Sequence, residues 1–211
     1  RLLVKIEGLT PLMTDRIPPW VREDLQRKAE GLTAIPREKR SEAQIYQDAK
    51  YVLQEEPEVC GFPTHGLVKC IARAGKRYLD MDMVKTYGLI HVPAGFFEIR
   101  GSEPEPRPMI GRNRQGNLIP LMRPSWMPWW LEVDLTYAHP FVTDEWVVNM
   151  VNIAGSTVGI GSARRECGGM PYGSFAVTEV RLWKKNRSTS RETSSERMTG
   201  NSWVGSSTGC R

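Results

Sequence analysis

Histidine and cysteine are scarce in this chain, at three and four residues in 211. Cys60, Cys70, Cys167 and Cys210 form no Cys-x-x-Cys pair and no regular spacing, which argues against a disulfide framework and against the common zinc modules. Read as part of a zinc site, Cys60, His65 and Cys70 lack an obvious fourth ligand, so buried or idle thiols are expected instead. No apolar run approaches the ~20 residues of a membrane-spanning helix. The opening Arg1-Leu2-Leu3-Val4-Lys5-Ile6 is too short and too alternating for a secretory leader. There is no Gly-Lys-Ser/Thr phosphate loop, no Ser/His/Asp grouping, no pairing of metal-binding carboxylates and no internal repeat. These absences leave no cofactor, metal or membrane to expect, and they point to a cytoplasmic protein with reduced thiols.

What is present suits a folded domain. Hydrophobic residues make up 40% and charged residues 25%, enough for a core and too apolar for wholesale disorder. The net charge of +5 is unevenly spread. Residues 184–211 hold six basic and two acidic side chains, a net +4, which leaves +1 for residues 1–183. Within that body, residues 100–128 set Arg100, Arg107, Arg112, Arg114 and Arg123 against Glu103 and Glu105, a net +3. A local basic loop on a near-neutral body says more about an anionic partner than the overall charge does.

Along the chain, residues 2–7 read as a first strand ending at Gly8. Residues 10–60 read as an insertion, part loop and part amphipathic helix over 21–29. Residues 64–79 carry Leu67, Ile71, Ala74 and Tyr78 on one helical face, with Thr64 as the expected N-cap and Lys69, Arg73, Lys76 and Arg77 opposite. Residues 87–100 suggest two short strands, or one strand broken by a bulge. The proline- and arginine-rich stretch 101–128 is a second insertion, either a long exposed loop or a β-hairpin. Residues 130–137 alternate cleanly as a strand. Thr143 then caps a helix with Val147, Met150, Val151 and Ala154 inward and Gly155 as its left-handed stop. Residues 174–182 form a last strand, and 184–211 are expected to be a disordered basic Ser/Thr/Gly-rich tail.

The core order is strand, helix, strand, strand, helix, strand. That is the ferredoxin-like (RRM-like) βαββαβ order of an α+β domain over residues 1–183, with an antiparallel sheet and two helices on one face. The most distinctive motif is Val158-Gly159-Ile160-Gly161-Ser162-Ala163-Arg164-Arg165-Glu166-Cys167-Gly168-Gly169-Met170-Pro171-Tyr172-Gly173-Ser174-Phe175. Its glycines follow a helix and precede a strand, so it is no dinucleotide fingerprint. Two readings stand: a helix-to-strand connection with special turns, or a cradle for a nucleic-acid backbone beside Arg164 and Arg165.

Three pieces together resemble the RAMP superfamily of CRISPR-associated proteins, in particular a Cas7-like subunit. They are Glu7-Gly8-Leu9-Thr10-Pro11-Leu12, the Pro63-initiated helix from Phe62 to Ala74, and the glycine segment ending in Tyr172-Gly173-Ser174-Phe175. The layout, over roughly residues 2–182, is also similar to short bacteriophage and prophage proteins. The resemblance implies a subunit that binds single-stranded nucleic acid in a bacterial host cell, RNA ahead of DNA, and that self-assembles. It implies that Lys69 and Arg73 face phosphates, as do Arg164, Arg165 and the backbone of Gly159 and Gly161. Arg107, Arg112 and Arg114 would belong to a thumb-like insertion.

Catalysis is the less favoured reading. Family members that cut RNA use an aspartate after the first strand or a histidine base, which puts forward Asp15 and His65 as weak candidates for an endoribonuclease. A third reading keeps the fold as a protein–protein or structural module without nucleic-acid binding. Trp126, beside the basic loop, could stack on a base, although packing is the favoured role for the tryptophans.

Overall fold

A computed structural model describes residues 1–33, 40–53, 55–112, 116–167 and 170–182. The elements run β1 (Leu2–Gly8), β2 (Leu12–Met13), α1 (Pro19–Ala29), α2 (Glu42–Asp48), β3 (Gly61–Pro63), α3 (Thr64–Tyr78), α4 (Met83–Leu89), β4 (Ile90–His91), β5 (Phe96–Glu98), β6 (Arg100–Gly101), β7 (Glu105–Arg112), β8 (Leu118–Trp126), β9 (Trp129–Tyr137), α5 (Asp144–Thr157) and β10 (Phe175–Leu182). This is an α+β architecture with antiparallel sheets. The tail expected over 184–211 lies outside the described residues.

The main sheet has the order β10-β1-β9-β4, with β6 also paired to β9. Alternation sets its two faces. Leu2, Val4 and Ile6 of β1 and Leu131, Val133 and Leu135 of β9 are fully buried. Lys5, Glu132, Glu179 and Arg181 meet on the opposite face. The buried face packs on α3 through Leu67, Ile71 and Ala74, and on α5 through Val147, Met150, Val151 and Ala154, in one continuous core. Burying each Leu, Ile, Val or Met side chain among these contributes about 1.5–3 kcal/mol. The β1–β10 register slips between Lys5 and Ile6, so Thr178 is an extra residue that bulges from the ladder.

Both helices form where their apolar spacing places them, but their ends differ from expectation. Thr64 is the first helical residue of α3 and not its cap. Pro63 holds the N-cap position, where its ring offers no acceptor for a side-chain cap, and the Thr64 amide goes to the Gly95 carbonyl at 3.0 Å. Tyr78 is exposed: the chain turns at Asp80 (φ 51°), and Met81 folds back onto the core with its amide on the Gly75 carbonyl. Thr143 does cap α5, its Oγ1 accepting the Trp146 amide at 3.2 Å. Gly155 does not stop the helix. It lies inside α5, where a Cβ would stand 2.2 Å from the Phe175 carbonyl oxygen. The left-handed stop is Gly159 (φ 74°), whose amide returns to the Ala154 carbonyl at 2.9 Å.

The two insertions have structure of their own. Residues 101–128 contain the hairpin β7–β8, in register from Glu105↔Ser125 to Arg112↔Leu118. It joins β2 through Leu12↔Trp126 and Met13↔Ser125, giving a second, three-stranded sheet. Pro106 and Pro108 are tolerated because β7 is an edge strand, and Pro120 and Pro124 of β8 lie outside its two-residue pairing with β2. Residues 10–60 supply β2, α1 and α2, the last started by a capping box between Ser41 and Gln44. Among the described residues, no helix is long and apolar enough to cross a membrane.

Candidate functional site

The first turns of α3, the loop after α5, the residues following β2 and Tyr51 surround an open cleft of about 340 Å³. Its position follows from how the glycine loop is stapled. Ser162 donates its amide to the Met13 carbonyl at 2.7 Å, Gly173 to Pro11 at 2.9 Å, and Ile160 to Gly173 at 2.9 Å. Gly161 (φ 83°) passes so close to β2 that a Cβ would lie 2.4 Å from the Met13 carbonyl oxygen. These contacts hold Thr14 and Asp15 beside the loop on one wall, with α3 forming the other.

The cleft gathers most of the residues singled out in the sequence. His65, Lys69 and Arg73 come from α3, Asp15 from the segment after β2, and Gly159, Gly161 and Arg164 from the loop. Among its lining side chains Lys69, Arg73 and Arg164 oppose one acid, Asp15, for a net +2. Lys69 and His65 are exposed, and their side chains have no hydrogen bond or ion pair among the described residues.

The arginines are already engaged. Glu166, with its side chain 6% exposed, receives Arg73 at 2.5 Å, Arg77 at 3.0 Å and Arg164 at 3.4 Å. Burial pushes the Glu166 carboxyl up, but the Arg73 hydrogen bond and the charges of Arg73, Arg77 and Arg164 more than offset this, so it lies below its ordinary value. Arg164 also donates to the Gly161 carbonyl at 3.0 Å. Arg73 and Arg164 therefore stand at the cleft as members of a clamp and not as free cations. In the sequence Glu166 reads only as an interruption of the glycine run. The signal for its role is the i, i+4 pair Arg73 and Arg77 on the helix facing it.

Other expected residues lie elsewhere. Arg165 donates to the Ser156 carbonyl at 3.0 Å, at the end of α5 and outside the cleft lining. Arg107 stands over the Tyr172 ring at 5.5 Å and so joins the hairpin to the glycine loop. Arg112 closes β7, and its side chain, like all of Arg114, lies outside the described residues. The Gly159 amide is spent on Ala154 and the residue is buried, so it is not an open donor for phosphate. Asp15 pairs with Arg123, whose Nε is buried without a hydrogen-bond partner.

Cys70 is buried, with its Sγ donating to the Ala154 carbonyl at 3.4 Å, and burial pushes its thiol up to about 12. Among the described residues, no group of three His, Cys, Asp or Glu side chains is placed to hold a metal ion. Trp126 is 1% exposed, which removes it as a stacking platform. No protein-family model matches the chain, and no curated protein matches it.

Proposed function

We propose that the chain is a RAMP-type, Cas7-like subunit that binds single-stranded nucleic acid without cutting it, RNA ahead of DNA, in the cytoplasm of a bacterial host. The observation that carries this reading is the cleft, where Lys69, unpaired among the described residues, stands beside arginines clamped on the buried Glu166 carboxylate. Cations set along an open groove neutralise a phosphate chain without reading its sequence. The strand order β10-β1-β9 followed by β4 and β6, all antiparallel, supports a ferredoxin-like βαββαβ core with α3 and α5 as its helices. The β7–β8 hairpin, tied to the loop by Arg107 and Tyr172, takes the part of the thumb.

The test is anisotropy of a labelled single-stranded RNA across a salt series. Binding that weakens steeply with salt, and that Lys69→Glu abolishes in a folded protein, is the expected result. No binding at low salt overturns the reading and moves the protein to a protein-binding or structural role. A nuclease reading is kept because His65 and Asp15 line the same cleft as Lys69. RNA turnover lost in both His65→Ala and Asp15→Asn would establish it.

A further inference from the structure

A second depression, of about 550 Å³, adjoins the first and shares His65 and Lys69 with it. Its other walls include Val68 of α3, Tyr87 of α4, and Ile90 and His91 of β4. The two hollows differ in chemistry. The first carries the charged side chains Asp15, Arg73 and Arg164 besides the shared Lys69. The second has an apolar floor, with Ile90 1% exposed, and carries the ring of Tyr87, 41% exposed. The imidazole residues His65 and His91 are also exposed there, and no acidic side chain lines the groove.

We propose that this groove receives an unpaired base of the strand whose phosphates sit at Lys69, with Tyr87 and His91 as the rings on which it stacks. The inference rests on the strand-binding reading and extends it from a phosphate site to a base site. A single strand presents a charged edge and flat π-faces, and it needs both kinds of surface side by side. Lys69 stands where the two hollows meet, so one residue faces both. A hollow of this size belongs to the class that holds small ligands. A protein partner needs a broader face.

The experiment compares two labelled probes on the full chain, an oligouridylate of about ten nucleotides, within the range of single-strand site sizes, and an abasic strand of equal length. Wild type is expected to bind the base-bearing strand roughly ten-fold more tightly, the scale of one stacked base. Tyr87→Ala should remove that preference and leave abasic binding unchanged, while Tyr87→Phe restores it. His91→Ala, at an exposed side chain, should weaken it in the same direction and serves if Tyr87→Ala misfolds by circular dichroism. Equal binding of both probes by wild type, or parallel loss of both in Tyr87→Ala, overturns the base groove and leaves the phosphate cleft standing. Binding of neither probe overturns both.

Discussion

Replacing Glu166 by Gln should make the protein less stable and a tighter binder of phosphate. The side chain is 6% exposed and three guanidinium groups converge on it. Gln keeps the volume but loses the charge and turns an N–H₂ toward the arginines. Charge-assisted hydrogen bonds contribute about 1.5–3 kcal/mol each. The three arginine side chains remain 30%, 53% and 23% exposed, so solvent recovers much of what they lose. A net loss of about 1–2 kcal/mol follows after that screening, or a fall in Tm of roughly 2–8 °C for a chain of this size. Binding moves the other way because one negative charge leaves the position behind Arg73 and Arg164, which line the cleft. At a separation of about 8 Å and an effective dielectric of about 20, one charge is worth roughly 2 kcal/mol before salt and about 1 kcal/mol at 0.1 M, or about five-fold in Kd. Thermal denaturation and RNA anisotropy on the same samples measure both signs. The acid limb of stability supplies a third readout. The Glu166 carboxyl sits below its ordinary 4.5 in the folded chain. Its stabilisation is therefore complete above about pH 4.5 and is lost as pH falls through the lower folded value. The gap in stability between wild type and Glu166→Gln should be constant above that pH and shrink below it. A folded Glu166→Gln protein that binds RNA more weakly would refute the reasoning, because it would mean the carboxylate holds the arginines in their binding pose.

Lys69→Ala should lower the slope of log K against log salt by about 0.7, one phosphate contact on a single strand; an unchanged slope in the anisotropy series removes Lys69 from the interface. Gly161→Ala forces a Cβ to within 2.4 Å of the Met13 carbonyl at φ 83°, and should cost about 1–3 kcal/mol. A Tm equal to wild type would show that the loop is not stapled to β2. Leu131→Ala, at a fully buried position of β9, should cost about 2–5 kcal/mol by chemical denaturation. Incubation of RNA with wild type, His65→Ala and Asp15→Asn should give no cleavage in any of the three, and turnover by wild type alone would transfer the protein to the nucleases.

The central elements were legible because their patterns are long. β1 and β9 alternate over seven and nine residues, and α3 and α5 repeat their apolar positions over 15 and 14. The hairpin was ambiguous for a physical reason. Pro106, Pro108, Pro120 and Pro124 argue against a strand, and they fit one because β7 is an edge and β2 pairs with β8 only at Ser125 and Trp126. α2 and α4 have seven residues each, too few for a periodicity to show. The cleft could be guessed from residue types, since basic side chains and glycines advertise themselves. The arginine clamp could not, because Glu166 acquires its meaning from Arg73 and Arg77, some ninety residues earlier in the chain. Gly155 and Gly159 teach the same point: both are glycines near a helix end, and only packing against Phe175 tells a close contact from a stop.

The position of β1 also bears on how the protein is made. It sits inside the main sheet, yet both of its neighbours, β9 and β10, come from residues 129–182. Until that part of the chain has left the ribosome, the first strand has no ladder to join, and Leu2, Val4 and Ile6 have no finished core to enter. The walls of the cleft are separated in sequence in the same way, Thr14 and Asp15 on one side of that gap and Arg164 on the other. Contacts of such long sequence separation form late and slowly. A nascent chain, or one truncated before β9, therefore carries α3 without the glycine-loop wall of its cleft.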